Sequence, residues 1–363
     1  MVRKLVIVYD LLKKLIEKQL YMHNVQSNFR LEDKTNERRD KMSEVSAAKR
    51  RTHTTVSARR KKTFMLLTMV APGAIWLILI RYLPMFGIIM AFQDYKIYTK
   101  APSLVNNIMH SKLVGLKNFK FLFTTKDSWI MIKNTLGYNI IFIILGLIIS
   151  VTFAILLNEV TKKFVAKTYQ TLMFFPYFLS WVVASYFLQA FIDPTNGLLT
   201  RAMVGWGMKP IDFYNTTSPW PYILVVAHIW KNTGYSVVLY LAAITGIDGS
   251  QYEAASIDGA SKLQQVLYVT LPHLKTMIII LFILAVGKIF NADFGLFYQL
   301  PMNSGPLMSV TQVIDTYVYR AMMATQNYSM TTAAGLVQNI VGFVCIMVAN
   351  GIVNKFDKDS SLF

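Results

Sequence analysis

The chain has 363 residues, 54% of them hydrophobic and only 15% charged, with a mean hydropathy of +0.40. A water-soluble domain of this length rarely carries so much apolar surface, so the composition argues against an ordinary soluble enzyme and for several membrane spans. The formal net charge of +18 is uneven, because residues 1–62 hold 17 of the 37 Lys and Arg against 7 of the 19 Asp and Glu.

Residues 2–20 read as an amphipathic helix, with Leu5, Val8, Leu12, Leu15 and Ile16 at helical spacing and Lys4, Lys14 and Lys18 between them. Such a helix suits the inner membrane surface. It lacks the form of a signal peptide, since Asp10 and Lys13-Lys14 interrupt the apolar stretch. Residues 23–62 are polar and are expected to be flexible. Their basic runs, Lys49-Arg50-Arg51 and Arg59-Arg60-Lys61-Lys62, admit a nucleic-acid reading. The second run abuts the first apolar stretch, however, where positive charge holds a segment in the cytoplasm, and anionic lipid adds to the attraction.

Six apolar stretches follow, each long enough to cross about 30 Å of hydrocarbon as a helix. They cover 64–92, 130–157, 168–191, 220–244, 274–292 and 331–353. Pro84 predicts a tilt or kink in the first. Residues 93–129 read as a polar loop ending in a short amphipathic helix at 114–123, and 293–330 as a long polar stretch. The chain therefore reads as an all-α membrane protein with six transmembrane helices and both termini cytoplasmic. Residues 1–63 form a basic tail, 64–353 the membrane domain and 354–363 a second short tail. The turn at 158–167 and the segment 245–273 then lie on the cytoplasmic side. One feature opposes this outline: the first outer loop carries Lys96, Lys100, Lys112, Lys117, Lys120 and Lys126 against Asp94 and Asp127, more positive charge than an outer loop normally holds. Cys345 is the only cysteine and lies in an apolar stretch, so it reads as a buried, inert thiol.

The segment between the fourth and fifth stretches reads as two short helices and a turn. Asp248 or Ser250 caps the first helix. Glu253, Ala254 and Ala255 continue it, and Asp258-Gly259 ends it, glycine tolerating the left-handed conformation of a helix terminus. The second runs from Ala260 to about 269, and Pro272 is expected to redirect the chain before the fifth span. Small residues allow close approach and Glu253 supplies a charge, a combination that suits a partner's groove. Glu253-Ala254-Ala255, then Asp258-Gly259-Ala260, then Leu271-Pro272, resembles the EAA loop (247–273) of binding-protein-dependent ABC importer permeases. Further stretches resemble the LplB-type polysaccharide and oligosaccharide permeases over 64–353. They are Tyr82 to Gly87, Gly115 to Phe119, Leu156 to Glu159, Phe175 to Val183 and Val313 to Arg320.

The resemblance implies a type I ABC importer permease fold in a bacterial plasma membrane. It implies a second homologous permease subunit, a cytoplasmic ABC ATPase dimer, an extracellular solute-binding lipoprotein and an oligosaccharide substrate. The EAA helices would transmit the ATPase's closure to the spans. No cofactor is expected on this chain, because the phosphate-binding pattern G-x-x-x-x-G-K-[ST] is absent. ATP and Mg belong to the partner ATPase. The loop by itself leaves the solute open between a carbohydrate, a peptide and an anion. A membrane enzyme such as a glycosyltransferase would need a carboxylate cluster or metal motif, and the histidines (His23, His53, His110, His228 and His273) show no metal spacing.

Sugar sites combine aromatic faces with polar groups. The third stretch offers Tyr177, Trp181, Tyr186 and Gln189. The fourth offers Trp230, Lys231, Asn232 and Tyr235, and Asn291 and Asp293 follow the fifth. For the aromatic residues, helix packing competes with sugar contact. Lys231 stands out, because an ionisable group at mid-membrane is costly. It either meets substrate or is held structurally by Asp293 or a carbonyl.

Overall fold

The computed structural model describes residues 53–97, 103–358 and 361–362, so the amphipathic helix at 2–20 and most of the basic tail lie outside the described residues. The chain divides into two compact units at the Leu83/Pro84 boundary. In the first, helix α1 (His53–Leu77) passes into a π-helical turn at Ile78–Tyr82. Its apolar side chains, Phe64, Trp76 and Ile80 among them, point outward. The second unit begins in a 3-10 segment (Leu83–Phe92). The regular α pattern is thus lost around Pro84, which lacks the N–H that would continue it.

The second unit opens with a feature the sequence did not announce. A two-stranded antiparallel hairpin pairs β1 (Gln93–Asp94) with β2 (Lys112–Leu113) around helix α2 (Leu104–His110). Asn118 donates to the carbonyls of Ala91 (2.9 Å) and Gln93 (2.8 Å), and Gln93 donates to Ile108 O (2.9 Å), tying the loop together. The amphipathic stretch at 114–123 is a 3-10 turn (Gly115–Phe119) followed by helix α3 (Phe121–Thr124).

Helix α4 (Lys126–Asn158) starts at a capping box of Thr125 and Ser128 and spans 33 residues, about 50 Å at 1.5 Å per residue. After a short turn come α5 (Lys163–Phe174), a 3-10 turn (Phe175–Phe178) and α6 (Trp181–Ile192). The sequence predicts one third span here, over 168–191. Instead, the two helices meet at 101°. Pro176 sits inside the 3-10 turn, Leu179 is extended, and Ser180 caps α6 by accepting from Val183 N. The chain breaks because a proline and a fresh N-cap lie within one turn of each other.

Helices α7 (Leu198–Gly205) and α8 (Trp220–Thr245) follow. The latter packs along α4. One core cluster joins Tyr138 and Phe142 to Trp220, Leu224 and Phe297, and a second joins Val151, Ala154 and Leu157 to Val237, Tyr240 and Leu274. Next come α9 (Gly249–Ile257), α10 (Lys262–Gln265), a π-helical turn (Val266–Thr270) and α11 (Leu271–Val286). Here the expected redirection at Pro272 does not occur, and Lys262–Val286 is one continuous helix. The π turn, in which Leu271 N–H reaches back to Val266 O, makes room for the proline ring. The helix also ends at Val286, earlier than the 274–292 stretch implied. The polar stretch 293–330 is largely helical, with α12 (Phe294–Gln299), α13 (Met308–Thr311) and α14 (Ile314–Thr325), before α15 (Tyr328–Phe356).

Among the described residues, four helical segments are long and apolar enough to cross a membrane, five if the bent pair counts as one. Helix α8 is long enough, but His228-Ile229-Trp230-Lys231-Asn232-Thr233 makes its centre too polar for that count. Its polar residues are covered by protein instead: Lys231 is 9% exposed and Thr233 8%.

Candidate functional site

The α9–α10 element is built as a rigid projection. Asp248 Oδ1 accepts from Ser250 N (3.0 Å), and this bond holds the carboxyl below its ordinary range. At the other end Gly259 takes φ +77°, while Ala260 N bonds Ala255 O (2.9 Å) and Gly259 N bonds Ser256 O (3.1 Å). This is the paired closure that a left-handed glycine permits. Ser261 and Gln264 form a reciprocal capping box on α10. Two bonds then fix α9 to the continuous helix: Gln265 Nε2 to Ser256 Oγ (2.9 Å), and Tyr252 with Thr270, hydroxyl to hydroxyl (2.9 Å). Glu253, Ala254 and Asp258 are exposed, Ala255 and Ala260 half-buried, and Ile257 is 87% exposed. Leu271 packs into the second core cluster, and Pro272 lies on the surface of α11. Lys262 pairs with Glu159 (3.4 Å), placing the turn after α4 at the same end of the molecule as this projection.

Between α4, α8 and α11 lies a cavity of about 510 Å³. Four of the sequence-predicted residues line it: Asn232, Tyr235, Asn291 and Asp293. Sequence reasoning did not single out its other polar walls, Asn139, Ser150, His228 and Lys288. Asn139 and Lys288 carried a usable signal, a polar side chain amid an apolar stretch. Asn139 Nδ2 donates to Ile289 O (2.8 Å) and Asn291 O (3.2 Å), fixing the turn that follows α11. His228 stacks flat on Phe142 at 3.8 Å. Ser150 Oγ and Thr233 Oγ1 are buried without a hydrogen-bond partner among the described residues, and both residues line the cavity.

Lys231 does not line this cavity. Its Nζ donates to the carbonyls of Pro176 (3.4 Å), Tyr177 (2.9 Å) and Leu179, at the break between α5 and α6. The ammonium also lies 5.8 Å from the Tyr177 ring and 5.4 Å from the Trp181 ring. Trp181 Nε1 donates to Asp293 Oδ2 (2.8 Å), and Asp293 Oδ1 accepts from Gly295 N and Leu296 N at the start of α12. Tyr177 stacks on Tyr235 (4.9 Å, 14°). The corner, α8 and α12 are thereby linked. Trp181 and Trp230 line a second, apolar groove of about 420 Å³, and Tyr186 and Gln189 line neither space.

The stretch Val313 to Arg320 organises the far side. Asp315 accepts from Ala292 N (2.8 Å) and Gln338 Nε2 (3.1 Å), and burial pushes its carboxyl up from the ordinary value. Arg320 donates to Asn303, Gln312 and Thr316.

A cavity between long apolar helices and a rigid helix pair projecting beyond them are the parts of a membrane transport component. Residues 143–359 match the family described as binding-protein-dependent transport system inner membrane component, and the chain belongs to that family, as a transport subunit rather than an enzyme. It is 35% identical to the polygalacturonan/rhamnogalacturonan transport system permease protein YteP of Bacillus subtilis (strain 168), over 80% of this chain and 88% of that protein. It is 32% identical to protein LplB of the same organism, over 83% and 92% respectively. Among solved structures, a chain from the crystal structure of a bacterial alginate ABC transporter in complex with alginate pentasaccharide-bound periplasmic protein superposes with a TM-score of 0.73. It is 28% identical, covering 83% of this chain and 98% of that one.

Proposed function

We propose that this chain is one of two homologous permease subunits of an ATP-driven importer that carries oligosaccharide across a bacterial plasma membrane. An extracellular binding lipoprotein delivers the sugar, and a cytoplasmic ATPase dimer holding ATP and Mg drives the cycle. In this reading the chain crosses six times, with α8 and the α5–α6 pair included among the spans and both termini cytoplasmic. The substrates named for the relatives, polygalacturonan, rhamnogalacturonan and alginate, support a carbohydrate. The cavity walls suit one too: Tyr235 offers a ring face, and Asn139, Asn232 and Asn291 offer amides for hydroxyls.

The observation that carries the coupling is the connection from α9 to the cavity. Helix α9 is bonded to a continuous helix whose far half, at Leu281, Phe282 and Ala285, forms one cavity wall. A push on α9 by a closing ATPase therefore moves that wall, because a helix transmits displacement where a hinge at Pro272 would absorb it. The exposed Glu253, Ala254 and Ile257 are the surface offered to the ATPase groove.

Glu253→Lys reverses the charge offered to the groove, and Gly259→Pro forces φ from +77° to about −65°. Each is expected to leave the subunit in the membrane at its normal level while ATP-dependent sugar uptake by the assembled importer is lost. Uptake at the normal rate in either variant would sink this assignment of the loop.

A further inference from the structure

Helix α11 ends at Val286, although its apolar stretch runs on to 292. The local sequence gives little reason for the stop. Residues 287–292 contain no proline, and none of them takes a left-handed φ; Gly287 itself is right-handed, at φ −62°. The N–H groups of Lys288, Ile289 and Asn291 bond three residues back, to Ala285, Val286 and Lys288. What holds the segment in this turn comes from elsewhere in the chain. Asn139 on α4 donates to the Ile289 and Asn291 carbonyls. Gln338 on α15 donates to Phe290 O (2.8 Å), and Asp315 on α14 accepts from Ala292 N (2.8 Å). Four consecutive residues thus each give one backbone group to a side chain of another helix. Gln338 Nε2 also donates to Asp315 Oδ2 (3.1 Å), so two of the three anchors are joined. Gln338 is buried, and α15 lies directly against the end of α11: a Cβ on Gly342 would stand 2.4 Å from Gly287 O.

The position of this turn gives its anchors a task. It joins α11, bonded to α9 through Tyr252 with Thr270 and Gln265 with Ser256, to α12, whose cap Asp293 lines the cavity beside Asn291. Displacement passes through packed helices and hydrogen-bond networks. A non-helical turn absorbs a push along α11 unless its backbone is held.

We infer that Asp315, Gln338 and Asn139 are positioning residues of the transport cycle. They stiffen the turn at 287–292, so that movement of α11 reaches α12 and the Asn291–Asp293 wall of the cavity. This inference rests on the coupling reading of α9 and extends it past the end of α11. The two joined anchors differ in chemistry. Gln338 donates to two acceptors at once, whereas Asp315 only accepts. The amide of asparagine can therefore replace the Asp315 carboxylate, while glutamate cannot replace Gln338.

The test is hydrogen exchange across the subunit in the complete importer, with its partner permease, ATPase and binding protein. Exchange is compared without nucleotide and with ATP and vanadate, which arrests the ATPase closed. In the wild type, amides of α9, α11 and α12 are all expected to change their exchange between the two states. Gln338→Met strands Phe290 O, and is expected to speed exchange of the turn, Ala292 N–H included, about tenfold or more. Helix α11 is expected to keep its response to nucleotide in this variant, while the response of α12 falls about threefold or more. A purely structural role would speed exchange equally in both states and leave the response of α12 intact, and that result overturns the inference. Gln338→Glu is expected to behave as Gln338→Met, and Asp315→Asn as the wild type. An Asp315→Asn importer uncoupled like Gln338→Met also overturns the inference. Asn139→Ala acts from a different helix and is expected to give the same separation of α11 from α12. It keeps the inference open to refutation if Gln338→Met fails to assemble. A wild type in which α9 and α11 do not respond to nucleotide sinks the coupling reading itself. One in which they respond and α12 does not leaves that reading standing and overturns the inference alone.

Discussion

Replacing Gly234 with alanine is expected to prevent α5 and α8 from closing against each other and to destabilise the subunit severely. A Cβ at this position would sit 1.9 Å from Met173 O, 2.4 Å from Met173 C and 2.7 Å from Phe174 Cα. All three are backbone atoms, so no rotamer change relieves the overlap and one helix must move. Small residues let membrane helices approach this closely, and where they do, van der Waals packing is a main source of association. Overpacking a core ordinarily costs about 1–3 kcal/mol, and a clash with backbone belongs at the upper end or beyond. The measurement is thermal unfolding of the purified complex, with Gly335→Ala as control, since a Cβ there meets nothing within 4 Å. A Gly234→Ala complex that melts with the wild type would show that the contact does not bear on stability.

The reach of the sequence is uneven for identifiable reasons. The stretches that became α4 and α15 were legible because composition alone decides them: both are long and apolar. The caps of the projection were legible because Asp248 and Gly259 act on their own neighbours. The broken third span was not, since hydropathy averages across Pro176 and carries no mark of a change in direction. Pro272 misled in the opposite direction, because the π turn at Val266–Thr270 accommodates it and the helix runs on. The hairpin of Gln93–Asp94 with Lys112–Leu113 has strands too short to show alternation. The cavity was half legible. Asn232, Tyr235, Asn291 and Asp293 could be chosen by residue type, but Asn139 and Lys288 join them only once α4 and α11 pack on α8.

Lys231→Met is expected to weaken the α5–α6 corner, and this experiment decides between the two roles open to the lysine. The break at Pro176–Ser180 leaves the Tyr177 and Leu179 carbonyls without a helical N–H, while the Pro176 carbonyl accepts from Leu179 N (3.1 Å), and in a membrane interior unsatisfied carbonyls have no water to turn to. An ammonium has three protons, and Lys231 Nζ meets both of those carbonyls, on Tyr177 and Leu179, together with the Pro176 carbonyl. Methionine keeps a similar flexible, unbranched stem and deletes every donor. Each stranded acceptor costs about 1–3 kcal/mol, so the corner is expected to lose roughly 2–5 kcal/mol after water entry and local relaxation. The effect extends past the corner. Trp181 starts α6 and holds Asp293, and Gly295 leaves the space that the Trp181 ring fills, a Cβ there lying 2.2 Å from Trp181 Cδ1. Loosening the corner therefore disturbs the start of α12 and the Asp293 wall of the cavity. For a positioning role, the Met variant is expected to lower the unfolding temperature of the complex and the maximal uptake rate, with the sugar concentration at half-maximal uptake little changed. Lys231→Arg, whose planar fork cannot address three carbonyls around a point, is expected to recover stability only in part. An unchanged unfolding temperature together with a raised half-saturating concentration would instead make Lys231 a substrate contact.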